Sequence, residues 1–215
     1  MFADREDAAR QLVEKLKPLQ LLDPLVLAIP RGGVVTGAVL ARELGADLDV
    51  VLSRKLRAPY QPELAIGAVG EDGEVYLNHR TDVATSIDQA YIEKERQYQI
   101  SEIARRQKIF RAARPQAPVA GRSVILTDDG IATGSTMIAA LRAVRKMQPA
   151  VTVAAVPVAP PEGCENLRAE ADDAICLHTP MLFYAVGQFY DDFEQTSDEE
   201  AIALLRAREK EIHGG

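Results

Sequence analysis

A doubly wound α/β fold on a mainly parallel, five-stranded sheet is the architecture this sequence predicts, and three observations carry it. Short apolar runs, many of them β-branched, recur at Leu25-Val-Leu-Ala-Ile29, Leu48 to Ser53, Val124 to Leu126, Val151 to Val156 and Ala174 to Leu177. Such runs suit strands covered on both faces. Between them lie stretches with apolar residues at helical spacing, the alternation that winds helices over both sides of a parallel sheet. The 215 residues hold one such domain with an elaboration, so residues 1–215 read as a single domain. It carries a flexible-loop and hairpin insertion at about 54–80 and a small C-terminal hood at about 179–196.

Taken in order, Asp4 suits the N-cap of a helix to about Leu19, with Ala8, Ala9, Leu12, Val13, Leu16 and Leu19 along one stripe. The Leu25–Ile29 strand runs into Pro30-Arg31-Gly32-Gly33 and an apolar helix from Val34 to Leu44, stopped at Gly45. Paired glycines admit an anion close to the backbone and Arg31 adds a permanent forked charge, although the same glycines would also serve a tight turn. Arg54-Lys55, at the end of the next strand, is either a solvated basic pair or two charges facing an anion. Pro59, Pro62, Gly67, Gly70 and Gly73 then punctuate the chain. Ala65 to Val69 and Glu74 to Leu77 predict a hairpin, while Arg57 to Glu63 reads as irregular and mobile.

Ser86 and Gln89, in capping-box spacing, predict the start of a long charged helix to about Ala112, with Ile92, Ile100, Ile103 and Phe110 as its apolar contacts. After the strand at Val124 come a helix from Met137 to Met147, the Val151 strand, a short helix around Glu162 to Ala171 and the last strand. Met181 to Phe193 concentrates aromatic residues where an acceptor pocket could close. Ser197-Asp-Glu-Glu200 caps a final helix to about Lys210.

The chemistry concentrates in Val124-Ile-Leu-Thr-Asp-Asp-Gly-Ile-Ala-Thr-Gly-Ser-Thr136. A loop at the carboxyl end of a parallel strand lies on the edge where open α/β sheets bind ligands. Thr133, Gly134, Ser135 and Thr136 offer N–H groups and hydroxyls at a helix N-terminus, a cradle for a phosphate. Asp128 and Asp129 suit sugar hydroxyls or a hydrated Mg2+. An ordinary strand-loop-helix joint with solvated acids is the plain alternative. No Gly-Lys-Ser/Thr and no Gly-x-Gly-x-x-Gly opening the first crossover is present.

This run resembles the phosphoribosyl-pyrophosphate (PRPP) motif of the type I phosphoribosyltransferases: a hydrophobic strand, two acids, a spacer, then Thr-Gly-x-Thr. The resemblance extends from Leu25 to about Phe193. It implies a transfer of phosphoribosyl from Mg2+-PRPP to a nucleobase-like acceptor with release of pyrophosphate. Asp128, Asp129, Arg31 and Lys55 would then act on the reacting groups, and Gly32, Arg54, Ile131, Ala132, Thr133, Gly134, Ser135 and Thr136 would bind PRPP. In that family a non-proline cis peptide is common at the position matching Pro30-Arg31, and a flexible loop follows Arg54-Lys55. Val186-Gly187 with Asp191 looks like the hood of hypoxanthine-type members, which adds Asp191 to Asp128 and Asp129 as a metal-facing acid. Ala132 departs from the hypoxanthine-guanine pattern, where an aspartate exchanges a proton with the purine; adenine-type members match better. A PRPP-binding regulator with the same fold and little turnover is the rival reading.

A net charge of −7 argues against nucleic acid or an anionic membrane as partner. With no signal peptide evident and no apolar run of membrane-spanning length, a soluble cytoplasmic protein is expected, as a homodimer. Cys164 and Cys176 lack a Cys-x-x-Cys spacing and read as reduced structural residues. Of the three histidines only His178 falls near a strand end, and a structural role suits it.

Overall fold

The computed structural model describes residues 1–77 and 87–214, apart from the side chains of Pro62, Glu63 and His213. The chain opens with α1 (Arg5–Leu16), β1 (Leu25–Ala28), α2 (Gly32–Glu43) and β2 (Asp47–Val50). A second group of strands follows: β3 (Ser53–Ala58), β4 (Gln61–Gly70) and β5 (Val75–Leu77). Then come α3 (Gln89–Ala113), β6 (Ser123–Thr127), α4 (Ser135–Arg145), β7 (Val151–Val158), α5 (Pro161–Glu170) and β8 (Asp173–His178). A 3-10 turn at Val186–Phe189 and α6 (Asp198–His213) complete it.

The predicted five-stranded sheet is present in the order β2-β1-β6-β7-β8, every neighbouring pair parallel. Alternation along each strand sends Val26, Ala28 and Ile125 to one face and Leu25, Leu27, Val124 and Leu126 to the other. The first face packs on Leu12, Leu16, Leu40 and Leu205 of α1, α2 and α6, and the second on Met137, Leu141 and Leu167 of α4 and α5. Both faces are therefore dry, which explains why the strands read as continuous apolar runs.

Local signals explain most helix ends. Asp4 caps α1 by accepting from Asp7 N–H at 2.7 Å, and Ser197 with Glu200 forms the expected capping box on α6. The first helix stops at Leu16, short of Leu19, because Pro18 brings no N–H with which to continue the hydrogen-bond ladder, although Lys17 itself keeps helical dihedrals. Asp88 is the N-cap of α3, accepting from Ala90 N–H, in place of the expected Ser86, which lies outside the described residues, as do Asn78 and His79.

Two expectations are corrected. The irregular stretch Arg57 to Glu63 is instead antiparallel sheet: β3 turns at Pro59-Tyr60 into β4, and β4 pairs in turn with β5 as the predicted hairpin. Tertiary contacts override the local signal. Arg57 makes three bonds to Glu95 of α3, two from its guanidinium at 2.7 and 3.1 Å and one from its backbone N–H at 3.2 Å, while the Tyr91 hydroxyl donates to its carbonyl. Cys164 and Cys176 form a disulfide joining α5 to β8, although both were expected reduced; the turn between the two elements brings their Cα atoms to 6.3 Å, which spacing along the chain cannot reveal. Among the described residues no helix is long and apolar enough to cross a membrane.

The long helix α3 is bolted to β2 through Asp49, which is 1% exposed. Its carboxylate accepts from Arg111 Nη1 at 2.7 Å and from Ala117 N–H at 2.8 Å. Asp49→Ala leaves the buried Ala117 N–H without its acceptor and Arg111 with only Val50 O. It should lower unfolding free energy by about 3 kcal/mol, read as a fall in the urea midpoint at unchanged slope; a loss under about 1 kcal/mol would place the pair on the solvated side.

Candidate active site

Because β1 and β6 are parallel neighbours in register, with Ala28 opposite Thr127, their C-terminal loops leave the sheet side by side. The contact between those loops is close. A Cβ on Gly32 would fall 1.9 Å from Asp129 Oδ2, and one on Gly33 would fall 2.9 Å from both Cα and Oδ1 of Asp128. Only glycine lets the first loop lie against the acidic pair. The Pro30–Arg31 peptide is cis, as anticipated from the resemblance, and Arg31 occupies the N-cap position of α2.

The second loop is held from several sides. Ile131 N–H donates to Val158 O, and Gly130 leaves no room beside Val186 and Val158. Gly134 takes the left-handed conformation, φ 77°, and starts α4 with no side-chain cap and no acid in the first turn. Its N–H groups are thus free of the usual internal anion. Thr133 Oγ1 and Ser135 Oγ lie 3.1 Å apart at that end; Thr133 and Ala132 are exposed, Thr136 half-buried, and Ser135 and Ile131 buried.

Burial is the leading influence on both acids. It raises the Asp128 carboxyl well above the usual 3.8, with the neighbouring Asp129 charge adding to it. Burial also raises Asp129, opposed by Arg5, whose Nε donates to Asp129 Oδ2 at 2.8 Å. Arg5 sits 3.9 Å above the Phe193 ring and donates to Glu194 O, while the Tyr190 hydroxyl donates to Asp129 O. Arg5 also borders a cleft of about 610 Å3 lined by Val35, Asp192, Thr196 and Leu204. Sequence reading missed Arg5 and Tyr190, since their partner lies 124 and 61 residues away and no local spacing marks them.

Over residues 1–194 the chain matches the phosphoribosyl transferase domain. It belongs to the type I phosphoribosyltransferase family. Two Mycobacterium tuberculosis proteins, each named "Putative phosphoribosyl transferase", are 44% identical to it over 205 residues, 95% of this chain and 46% of theirs. The chain thus spans about half the length of these curated relatives. The crystal structure of TT1426 from Thermus thermophilus is 46% identical, with a TM-score of 0.81 over 96% of this chain and 98% of that one.

Within this phosphoribosyltransferase fold the remaining expected site residues have distinct surroundings. Arg54 and Lys55 lie inside β3 and not at a strand end; Arg54 turns to α3, its Nε 2.5 Å from Gln99 Oε1, while Lys55 is exposed on the alternate face. Asp191 is exposed and is not gathered with the acidic pair: among the described residues no three His, Cys, Asp or Glu side chains form a metal-holding group. Its backbone has another task, donating to Phe2 O as the hood zips to the N-terminal segment. His178 packs its ring against Phe2, a structural role, while Met181, Leu182 and Tyr184 of the hood remain exposed.

A buried carboxyl raised above its unfolded value keeps its proton longer in the folded state, so stability is lost as pH rises from 3.8 through the raised value. Asp128→Asn removes that penalty. It should raise the melting temperature at neutral pH, by about 2–4 °C for each kcal/mol recovered, and the gain should shrink as pH falls toward 3.8. Melts at neutral and acid pH check this; a variant less stable than wild type at neutral pH contradicts it.

Proposed function

We propose that the chain transfers the phosphoribosyl group of Mg2+-PRPP to a nitrogenous acceptor and releases pyrophosphate. The observation that carries this reading is the contact of the Gly32-Gly33 loop with the acidic pair that leads into the hydroxyl loop. One ligand with a phosphate, a diol and a diphosphate would span the three features. Membership of the family and the printed names of the mycobacterial relatives support it.

The 5'-phosphate would lie on Thr133, Ser135 and Thr136 and the N-terminal N–H groups of α4, which fixes the anomeric carbon in place. Asp128 and Asp129 would hold the ribose hydroxyls, where their negative charge favours the cationic ring that develops as the bond to pyrophosphate breaks. Arg31, Arg54 and the Gly32 backbone would meet the leaving diphosphate, each preorganised donor supplying about 2–4 kcal/mol. Two half-buried carboxylates with raised pKa suit an ion that takes one or two protein carboxylates and completes its shell with ligand oxygens and water. Mg2+ held there would add positive charge beside the departing group. With Ala132 in the loop, position 132 contributes no acid or base, and the acceptor exchanges its proton elsewhere.

One observation favours the second reading, a PRPP-binding regulator. Asp129 Oδ2 already accepts from Arg5, so a ribose diol would share this carboxylate with an internal cation that offsets the charge wanted for catalysis. The test is incubation with Mg2+-PRPP and a panel of purine and pyrimidine bases, following pyrophosphate release, beside thermal melts. PRPP should raise the melting temperature according to RT ln(1 + [L]/Kd), and Thr133→Val with Thr136→Val should remove most of that shift. Release with one base establishes transfer; a shift without release selects the regulator. No shift from PRPP or ribose 5-phosphate at millimolar concentration overturns both.

A further inference from the structure

We infer that Arg106 of α3, a residue outside both loops, completes a three-arginine site with Arg31 and Arg54 that takes the diphosphate of the ligand. This rests on the preceding reading for the identity of the anion, but its geometry is independent of the hydroxyl loop.

The helix α3 runs antiparallel to β2. Arg114 lies 3.9 Å from Asp47 at the start of the strand, and Arg111 bonds Asp49 in its middle. Moving back along α3 therefore climbs toward the carboxyl edge of the sheet. Arg106, five residues before Arg111, stands about 7.5 Å further along the helix axis, which brings it level with the chain leaving β2. Seven residues earlier, on the same face, Gln99 holds Arg54 at 2.5 Å, and Glu95 holds Arg57 one turn beyond. Arg106 thus lies on the same stripe of α3 as Gln99, the residue that holds Arg54 of β3 against this helix.

Arg106 differs from the other arginines of this helix. Arg96, Arg105, Arg111 and Arg114 each have a carboxylate oxygen within 3.2 Å, on Glu93, Glu102, Asp49 and Glu209. Arg106 is 3.8 Å from Asp198, too far for a hydrogen bond, and its buried Nε has no hydrogen-bond partner among the described residues. A forked cation with one unspent buried donor is unfavourable unless an acceptor reaches it, and the facing Asp198 Oδ1 and the Arg114 Nη1 are likewise buried without a hydrogen bond among the described residues. Its surroundings deepen that demand. Burial lowers its pKa, and although Asp198 opposes this, the charges of Arg54, Arg31 and Arg105 lower it further. Repulsion among guanidinium groups is relieved by an anion with two or more negative charges, which is the chemistry of a diphosphate.

Titration of the full chain with inorganic pyrophosphate, and separately with ribose 5-phosphate, at fixed salt tests this. Arg106→Gln should weaken pyrophosphate by about tenfold or more and flatten its salt dependence, while leaving ribose 5-phosphate binding unchanged. Arg106→Lys should recover part of the loss, and Asp198→Asn, by removing the competing carboxylate, should tighten pyrophosphate. Wild-type pyrophosphate affinity in a folded Arg106→Gln, or no pyrophosphate binding by the wild type, overturns the inference. If Arg106→Gln does not fold, Asp198→Asn decides, and affinity unchanged or weakened there overturns it. Loss of ribose 5-phosphate binding alone in the wild type would sink the transferase reading and leave this site standing.

Discussion

The partial burial of two adjacent carboxyl groups between two loops is the constraint on which the rest of this molecule depends. Parallel pairing of β1 with β6 places the loops together, and only glycine at positions 32 and 33 allows the approach. Removing Asp128 and Asp129 from water creates an electrostatic debt that no local residue can settle. The answer comes from far along the chain. The segment from Phe2 to Arg5 pairs with the hood, and this union delivers Arg5 and Tyr190 to Asp129. Asp128 receives no comparable cation, and burial with the neighbouring Asp129 charge holds its pKa well above the usual value.

The inserted sheet and long helix extend the same logic to positive charge. Alternation along β3 separates two sequence neighbours, turning Arg54 toward α3 and leaving Lys55 exposed. The face of α3 toward β3 then offers Glu95 to Arg57, Gln99 to Arg54 and, at the sheet edge, an arginine in place of another acceptor. Acids and amides thus pin the inserted sheet to the long helix.

Much of this was legible in the sequence. Buried parallel strands carry a continuous apolar signature, so the sheet, its helices and the strand-end position of Asp128 through Thr136 could be read from residue order alone. The cis peptide at Pro30–Arg31 followed from family resemblance and not from any local rule. What could not be read depends on distant partners. Arg5 looks like an ordinary first-turn residue until the hood is in place, and residues 57 to 63 lack strand periodicity because α3 supplies the anchoring. The Cys164–Cys176 bond likewise needs the turn from α5 into β8 before the two sulfurs are neighbours.

Arg5 touches Glu194 across 189 residues of chain and Asp129 across 124. Contacts of such span close loops nearly as long as the chain itself, at an entropic cost that grows only slowly with length. The charge balance of the acidic pair therefore rests on the docking of the N-terminal segment against the hood. A change that loosens that docking, far from the acidic pair in sequence, would leave Asp129 without its internal cation. In this protein the seating of the hood and the electrostatics of the strand-end loops are one matter.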